Sequence, residues 1–175
     1  MIEIMILYIL LKHDLTMYAI HKRIQENFLA YTSPSFGAVK PALVRLEKQG
    51  CITSSKIMSD GGKLSVYYSI TKDGLKELRS LLLKPLSQNP LQFLSDSRIK
   101  LSCLSFLDDT DAHDVFVDIK ANALQHKVNA EKILADEYTP LTYQQRIVLD
   151  NAICEYKNFI SLVEGLEKSN AGNCR

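Results

Sequence analysis

The stretch that decides the fold is Ser35-Phe-Gly-Ala-Val-Lys-Pro-Ala-Leu-Val-Arg-Leu-Glu-Lys-Gln-Gly50. Its apolar side chains recur three and four positions apart, at Phe36, Val39, Leu43 and Leu46. This spacing predicts one amphipathic helix over 36–49, with Ser35 as its N-cap and Gly50 as its C-terminal stop. The side chains between the apolar positions then face outward.

The residues after this helix predict a hairpin. The runs 51–58 and 64–70 are compatible with β-strands, and the polar, glycine-rich segment 59–63 between them predicts a turn. A further helix is expected from Thr71 to the proline at position 85, because leucines recur along it at helical spacing.

The residues before the central helix predict two more helices. Tyr18, Ile20, Ile24 and Phe28 share one helical face after a cap at Asp14 or Thr16. The apolar run that opens the chain is far shorter than a membrane-spanning helix of roughly 20 residues, so a buried helix is expected there. Three helices followed by two strands is the order of a winged helix-turn-helix. Its third helix, called the reader helix below, enters the major groove of DNA.

The second half of the chain is predicted to be helical, apart from short connecting segments. Pro85 and Pro90 bracket a linker, and helices are expected over about 91–107, from 108 onward, and over about 142–168. The cluster Asp108–Asp111 is interpreted as a helix cap rather than a cation site. A coiled-coil-like stripe runs along the last helix at Leu149, Ile153, Tyr156, Ile160 and Val163.

Two long amphipathic helices with little else to cover them predict pairing with a second copy of the chain. The fold is therefore expected to be mainly α, with an N-terminal winged helix-turn-helix of three helices plus a two-stranded wing over residues 1–85. A C-terminal antiparallel helical dimerisation domain is expected over residues 91–168. The stripe on the last helix is the predicted dimerisation surface.

Charge supports a nucleic-acid partner for the first half only. The chain of 175 residues has a net charge of +1, but residues 1–84 hold 12 Lys and Arg against 7 Asp and Glu. Residues 85–175 hold 9 against 13. A basic half joined to an acidic half suggests that the first half alone meets phosphates. Four scattered cysteines without a CxxC pair favour reduced thiols, and hence a cytoplasmic protein.

Three segments resemble the PadR-like transcriptional regulators. These are Tyr18-Ala-Ile-His-Lys-Arg-Ile24, the 35–50 stretch, which is similar to S-x-G-T-I-Y-P-A-L-x-R-L-E-x-x-G, and Val66-Tyr-Tyr-Ser-Ile-Thr-Lys-Asp-Gly74, which is similar to K-Y-Y-x-L-T-x-x-G. They occur in the family's order and spacing across about the first 80 residues. The C-terminal helices look like the longer-tailed branch of the family, in which tail helices drive dimerisation.

The chain departs from the family pattern at two places. Ala38-Val39-Lys40 stands where the family has Thr-Ile-Tyr, so a hydroxyl and a DNA-contacting tyrosine are absent. Ser65-Val66 stands where the wing usually carries Arg-Lys. Of Tyr67 and Tyr68, one is expected in the core and the other on the wing surface, because side chains alternate along a strand. The predicted DNA-contacting residues are Tyr18, Lys22, Ser35, Gly37, Ala38, Lys40, Pro41, Arg45, Lys63 and Tyr68.

Together these features predict a bacterial, cytoplasmic, homodimeric repressor that binds a pseudo-palindromic operator in double-stranded DNA. A small-molecule effector is a further expected partner, and no cofactor, metal or membrane is expected. The main alternative is a winged-helix protein-interaction module that has lost DNA binding, which the two departures favour. A small helical enzyme finds little support, because no nucleophile motif or phosphate-binding glycine loop is present, and no catalytic residue is predicted.

Overall fold

The computed structural model describes residues 1–58, 62, 64–138 and 140–172. For residues 171 and 172 it describes the backbone alone. Its helices are α1 (Ile2–Leu10), α2 (Met17–Phe28), α3 (Phe36–Lys48), α4 (Lys72–Leu83), α5 (Pro90–Cys103), α6 (Asp109–Ala135) and α7 (Tyr143–Gly172). The strands are β1 (Leu15–Thr16), β2 (Ile52–Met58) and β3 (Leu64–Ile70), and a short 3-10 helix, Leu104–Phe106, follows α5. This confirms a mainly α fold that begins with a winged helix-turn-helix.

Three helices begin at caps that their sequences supply. The Thr16 hydroxyl accepts a hydrogen bond from the Ala19 N–H at 3.3 Å and caps α2. The Asp108 carboxylate accepts from the Asp111 N–H at 2.9 Å and caps α6, which confirms the capping interpretation of this acidic cluster. The Thr71 hydroxyl caps α4 by accepting from the Gly74 N–H at 3.0 Å. Each bond satisfies a backbone donor that the helix itself cannot satisfy.

The wing has three strands rather than the two that were expected. The strand order is β1-β3-β2, and both pairings are antiparallel. Leu15 lies opposite Tyr68 and Thr16 opposite Tyr67, so the two residues before α2 extend the hairpin by one short strand. A strand of two residues has no alternation that a sequence pattern can detect, which is why it was missed.

Helix α1 lies in the core of its own chain. Ile4, Met5, Ile6 and Leu7 are each exposed by 2% or less, and α1 packs on α2, α3, α4 and β3. Burial on nearly all sides explains why its sequence is apolar without an amphipathic stripe. Among the described residues, no helix is both long enough and apolar enough to cross a bilayer.

The chain forms two compact units. The first contains Met1–Lys84 and Leu91–Leu107, and the second contains Pro85–Pro90 and the chain from Asp108 onward. Residues 91–107 were expected to belong with the C-terminal domain, whereas here Ile99 and Cys103 of α5 are buried in the same core cluster as α1. The functional division into a DNA-binding and a dimerisation domain stays a prediction.

Hydrogen bonds hold α5 in the first unit. The buried Lys100 Nζ donates to the Leu82 carbonyl at 2.8 Å and also to the Lys84 carbonyl, so a lysine of α5 caps the end of α4. The Tyr31 hydroxyl lies 2.5 Å from the Ser102 hydroxyl, and the Ser95 hydroxyl donates to the Tyr31 carbonyl at 2.8 Å. These polar contacts come from side chains that follow no hydrophobic period, so the apolar pattern of α5 could not predict them.

The second unit is built on an antiparallel pair formed by α6 and α7. His126 of α6 stacks on Tyr156 of α7 with ring centroids 5.5 Å apart. Near the other end of the pair, Glu167 accepts hydrogen bonds from Lys120 at 2.7 Å and lies 3.1 Å from His113. The hydrogen bond from Lys120 lowers the pKa of Glu167 below its ordinary value and outweighs burial, which on its own would raise the pKa.

The stripe predicted for dimerisation lies on the buried face of α7. Ile153, Tyr156 and Val163 are buried within the single chain, and Leu149 and Ile160 are half-buried. This stripe therefore belongs to the interior of the second unit. The single chain does not present these side chains as an open surface.

Two glycines provide a test of the packing. A methyl group on Gly74 would lie 2.0 Å from the Cys51 carbonyl oxygen and 2.8 Å from Ile70 Cγ1, whereas one on Gly165 meets nothing within 4 Å. We expect Gly74→Ala to lower the free energy of unfolding by at least about 1–3 kcal/mol, as overpacking does. Gly165→Ala, the matched control, should raise it by about 0.5–1 kcal/mol because alanine favours a helix. Urea titrations measure both, and an equal effect of the two changes would contradict this packing.

Candidate nucleic-acid interface

Helix α3 has a buried face and an exposed face. Val39, Ala42, Leu43 and Leu46 are buried by the rest of the first unit. The exposed residues of its first two turns include five of the predicted DNA-contacting positions, which are Ser35, Gly37, Ala38, Lys40 and Pro41. The structure thus brings these five residues together on one accessible surface, called the reader surface below.

Backbone groups on the reader surface are available for hydrogen bonding. Ser35 stands at the N-cap of α3 but makes no capping bond with its side chain. Pro41 has no N–H, so the Gly37 carbonyl, four residues earlier, lacks its usual helical donor. The N-terminal end of a helix attracts phosphates through its free N–H groups. A hydroxyl that makes no capping bond, a carbonyl without its usual helical donor and the Lys40 ammonium group therefore lie within about two turns of helix.

Two of the predicted residues lie on the exposed side of α2. Tyr18 in the first turn is 70% exposed. Lys22 follows one turn later, and its Nζ lies 3.8 Å from Glu26. An ion pair between exposed side chains at this distance contributes little to stability. Lys22 is therefore able to exchange Glu26 for a DNA phosphate.

Contacts between side chains and backbone fix the turn between α2 and α3. The His21 ring meets the Phe36 ring edge-on with centroids 5.3 Å apart. Gln25 Nε2 donates to the Pro34 carbonyl at 3.3 Å, and the Ser33 hydroxyl donates to Gln25 Oε1 at 3.5 Å. These contacts tie the start of α3 to the middle of α2, which holds the reader surface at a fixed orientation to Tyr18 and Lys22.

Arg45 is engaged within the chain. Its Nη2 and Nε donate to Glu3 Oε1 at 2.6 and 3.2 Å. Burial on its own raises the pKa of Glu3, but the Arg45 hydrogen bond and nearby positive charges outweigh it, so the pKa lies below its ordinary value. Arg45, predicted as a phosphate contact, thus joins α3 to α1 in this structure, and it would have to leave Glu3 to reach DNA.

The wing differs most from expectation. Tyr67 and Tyr68 are both half-buried, but only Tyr68 packs on the core cluster, so it is the inward member of the tyrosine pair and Tyr67 lies on the opposite face of the strand. Burial, together with the charge of Glu47, raises the pKa of Tyr68. Lys63 lies outside the described residues. The described part of the wing instead exposes four apolar side chains, which are Ile57, Met58, Leu64 and Val66.

One exposed cation of the wing was not singled out from the sequence. Lys56 on β2 lies opposite Val66 of β3 and is exposed. Every residue of β2 after Ile52 is exposed. Because both faces of this strand meet solvent, it has no hydrophobic alternation that would have marked Lys56 as outward.

Comparison with known proteins identifies the family. Residues 6–80 match the family model described as "Transcriptional regulator PadR-like family". The chain belongs to this PadR-like family. The matched residues contain the reader surface, α2 and the described wing, and the family is one of transcriptional regulators rather than enzymes.

Solved PadR-like proteins resemble the chain over different lengths. A PadR family transcription regulator from hypervirulent Clostridium difficile R20291 is 32% identical over 46% of this chain and 81% of that one, with a TM-score of 0.41. Bacillus subtilis PadR, solved in complex with operator DNA, is 22% identical over 96% of this chain and 98% of that one, with a TM-score of 0.45. The family assignment rests on the sequence match over residues 6–80. No curated protein matches the sequence.

The Arg45–Glu3 pair predicts a pH-dependent stability difference. A carboxylate whose folded pKa is depressed stabilises the fold above its unfolded pKa, and this contribution is lost as the pH falls through the folded pKa. We expect Glu3→Gln to cost up to about 1 kcal/mol at pH 7, since the pair is partly exposed. The cost should disappear when the pH falls below the depressed folded pKa. Thermal melts across this range measure it, with Glu137→Gln as an exposed control, and a cost that persisted at low pH would contradict a charge-based role.

Proposed function

We propose that this PadR-like protein is a homodimeric transcriptional repressor that binds a pseudo-palindromic operator through the reader surface. The observation that carries the proposal is the exposed, carboxylate-free start of α3, which carries Lys40, a Ser35 hydroxyl that makes no capping bond and a Gly37 carbonyl that Pro41 deprives of its usual helical donor. A helix end of this kind fits the major groove, which is about 12 Å wide.

Lys40 is the key residue of this proposal. It is exposed, and among the described residues it has no ion-pair partner. It replaces a tyrosine of the family pattern with a positive charge, which suits a phosphate oxygen or the acceptor edge of guanine. Lys22 and Tyr18 on α2 extend the same surface, whereas Arg45 contributes only if it releases Glu3.

A second copy of the chain is the proposed partner of the outer face of α6. The buried residues of α6, such as Ile119 and Ala123, lie on one side of the helix. Val117 and Leu124, which are 45% and 49% exposed, lie on the opposite side. Ala121 and Val128 continue this outer stripe at spacings of four and three residues, the pattern by which two helices pair. Helix α6 therefore has one apolar face for α7 and another that its own hairpin does not cover.

A dimer would place two reader surfaces on one face of DNA. Successive major grooves on one face are separated by about 34 Å, so the two half-sites should be spaced by one helical turn. Repression follows if the dimer occupies a promoter and excludes polymerase. A small-molecule effector remains part of the proposal, and Bacillus subtilis PadR has been solved in complex with p-coumaric acid. We assign the protein to the cytoplasm, where operator DNA lies.

The second candidate function is a protein-interaction module that has lost DNA binding. The exposed apolar side chains of the wing favour it, because Met58 and Leu64 face each other across the two strands and are 67% and 54% exposed. A wing that lies along DNA is expected to expose lysine and arginine side chains, which contact phosphates, rather than apolar ones. A salt series separates the two functions, since log K for DNA falls by about 0.9 per phosphate contact with log salt. No binding to promoter DNA at low salt would favour the module.

The role of Lys40 is tested by substitution. We expect Lys40→Ala to weaken binding to a promoter fragment and, if Lys40 contacts a phosphate, to reduce the salt slope by about 0.9. Thermal stability should not change, because the side chain is exposed. Fluorescence anisotropy at several salt concentrations measures both quantities, with the exposed Lys132→Ala on α6 as the control. If Lys40→Ala binds DNA with unchanged affinity and unchanged salt slope, the reader surface is not the DNA-binding surface.

The outer face of α6 is tested by introducing a charge. Leu124→Asp should shift the sedimentation equilibrium of the full chain toward the monomer, because pairing would bury the carboxylate without a partner. Gln125→Asp carries the same charge beside the stripe and should leave the dimer intact. Ile153→Asp, in contrast, should unfold the α6–α7 pair, since Ile153 is buried inside one chain. A monomer in the unmodified protein, or equal effects of the Leu124 and Gln125 changes, would refute this interface.

A further inference from the structure

Arg45 lies on the same side of α3 as the reader surface. Ala38, Pro41 and Arg45 follow one another at spacings of three and four residues, so their side chains share one helical face. The Arg45 side chain is 54% exposed, although Glu3 holds its guanidinium group. Arg45 therefore continues the reader surface toward the end of α3, where it would meet the backbone of a duplex that lies along this face.

The bond between Arg45 and Glu3 has the form in which arginine binds a phosphate. Nη2 and Nε both donate to the single oxygen Oε1 of Glu3, at 2.6 and 3.2 Å. A guanidinium group presents its N–H donors in a planar fork, which suits a carboxylate and a phosphate alike. The carboxylate of Glu3 and a DNA phosphate are therefore alternative partners for the same donors.

The pair can exchange its partner at little cost. The Glu3 and Arg45 side chains are 27% and 54% exposed, so water reaches both and the pair contributes little net stability. Glu3 also lies in the first turn of α1, where the N-terminal end of the helix stabilises a negative charge after Arg45 has left. The next residues of α1, Ile4 to Leu7, are buried, which keeps Glu3 in place beside α3.

We propose that Glu3 is an internal competitor of DNA: its carboxylate occupies Arg45 in the free protein, and a backbone phosphate displaces it when α3 approaches a duplex. This inference rests on the proposed DNA binding and adds to it a residue of α1 that sets the affinity without touching DNA. Each complex in which Arg45 contacts a phosphate must first break the bond to Glu3. Because phosphates carry no sequence information, Glu3 weakens binding to any duplex, whatever its sequence.

The proposal is tested with a fluorescein-labelled DNA duplex of random sequence at about 0.1 M salt, where a charge acts only over about 10 Å. Fluorescence anisotropy measures Kd for the full-length protein and its variants. We expect Glu3→Gln to lower Kd by about three- to fivefold, as the loss of an exposed ion pair of ordinary strength would do. Partial unfolding of Glu3→Gln would raise Kd instead, so a gain in affinity cannot arise from lost stability.

A matched control and a double variant separate displacement from a change in net charge. Glu137→Gln makes the same change of charge at an exposed residue of the second unit and should change Kd by less than about 1.5-fold. Arg45→Gln should weaken binding. When Glu3→Gln is added to Arg45→Gln, we expect a further change in Kd of less than about 1.5-fold, because no guanidinium group remains to be released.

The outcomes distinguish this inference from the proposed function. Displacement is overturned if Glu3→Gln gains no more affinity than Glu137→Gln, if its gain is the same with and without Arg45, or if Arg45→Gln binds as tightly as the unmodified protein. In each of these cases DNA binding itself stands. If the unmodified protein does not bind the duplex, the proposed function and this inference both fail.

Discussion

The carbonyl group of Cys51 connects the end of the reader helix α3, the start of strand β2 and the start of helix α4. It accepts a hydrogen bond from the Thr71 N–H at 3.0 Å, and the Thr71 hydroxyl lies 3.0 Å from the same oxygen and 2.6 Å from the Gly50 carbonyl. Gly50 has a φ of 72°, the left-handed conformation that ends α3 and turns the chain into the wing. Gly74 lets α4 start directly against this carbonyl, where a side chain would not fit. This junction fixes where the wing begins relative to the end of the reader helix.

A second junction gives the first unit its unexpected boundary. Lys100 is 2% exposed, and its ammonium group satisfies carbonyl groups at the end of α4 that would otherwise lack donors. Burying a lysine is costly unless its charge is hydrogen-bonded, so this contact specifies where α5 must lie. The chain therefore leaves the first unit at residues 85–90, where Gln88 donates to Asn122 at 2.9 Å, and returns for α5. It passes between the two units more than once, which a single linker at Pro85 and Pro90 did not predict.

The parts of the fold that follow from local rules were predictable. The periodicity of α3, the caps at Thr16 and Asp108, and the hairpin each depend on a few neighbouring residues, and the structure has them where the sequence indicates. The placement of α5, the pairing of β1 with β3 and the engagement of Arg45 by Glu3 depend on contacts between residues far apart in the chain. A hydrophobic stripe shows that a helix has a partner but does not identify it, which is why the α7 stripe was assigned to a second copy rather than to α6. The tyrosine pair shows the same limit, since alternation establishes that one ring is inward but does not say which.

The distribution of lysine and arginine side chains indicates which surface would contact DNA in a chain that departs from its family's pattern in the reader helix and the wing. The described part of the wing carries Lys56 as its cation and exposes apolar side chains around it, so little of its surface attracts phosphates. The start of α3 and the exposed side of α2 carry Lys40 and Lys22, neither held by a strong ion pair. Arg45, the next cation along α3, is tied to Glu3. Contact with DNA would therefore depend on the helix-turn-helix more than on the wing. A surface with few cations gains less from counterion release, so its specificity would have to come from groups that reach base edges. On α3 the groups that could reach base edges are the Lys40 side chain and the backbone beside Pro41. Gly37 and Ala38 have no bulky side chain, so the exposed side of the helix can approach the groove closely.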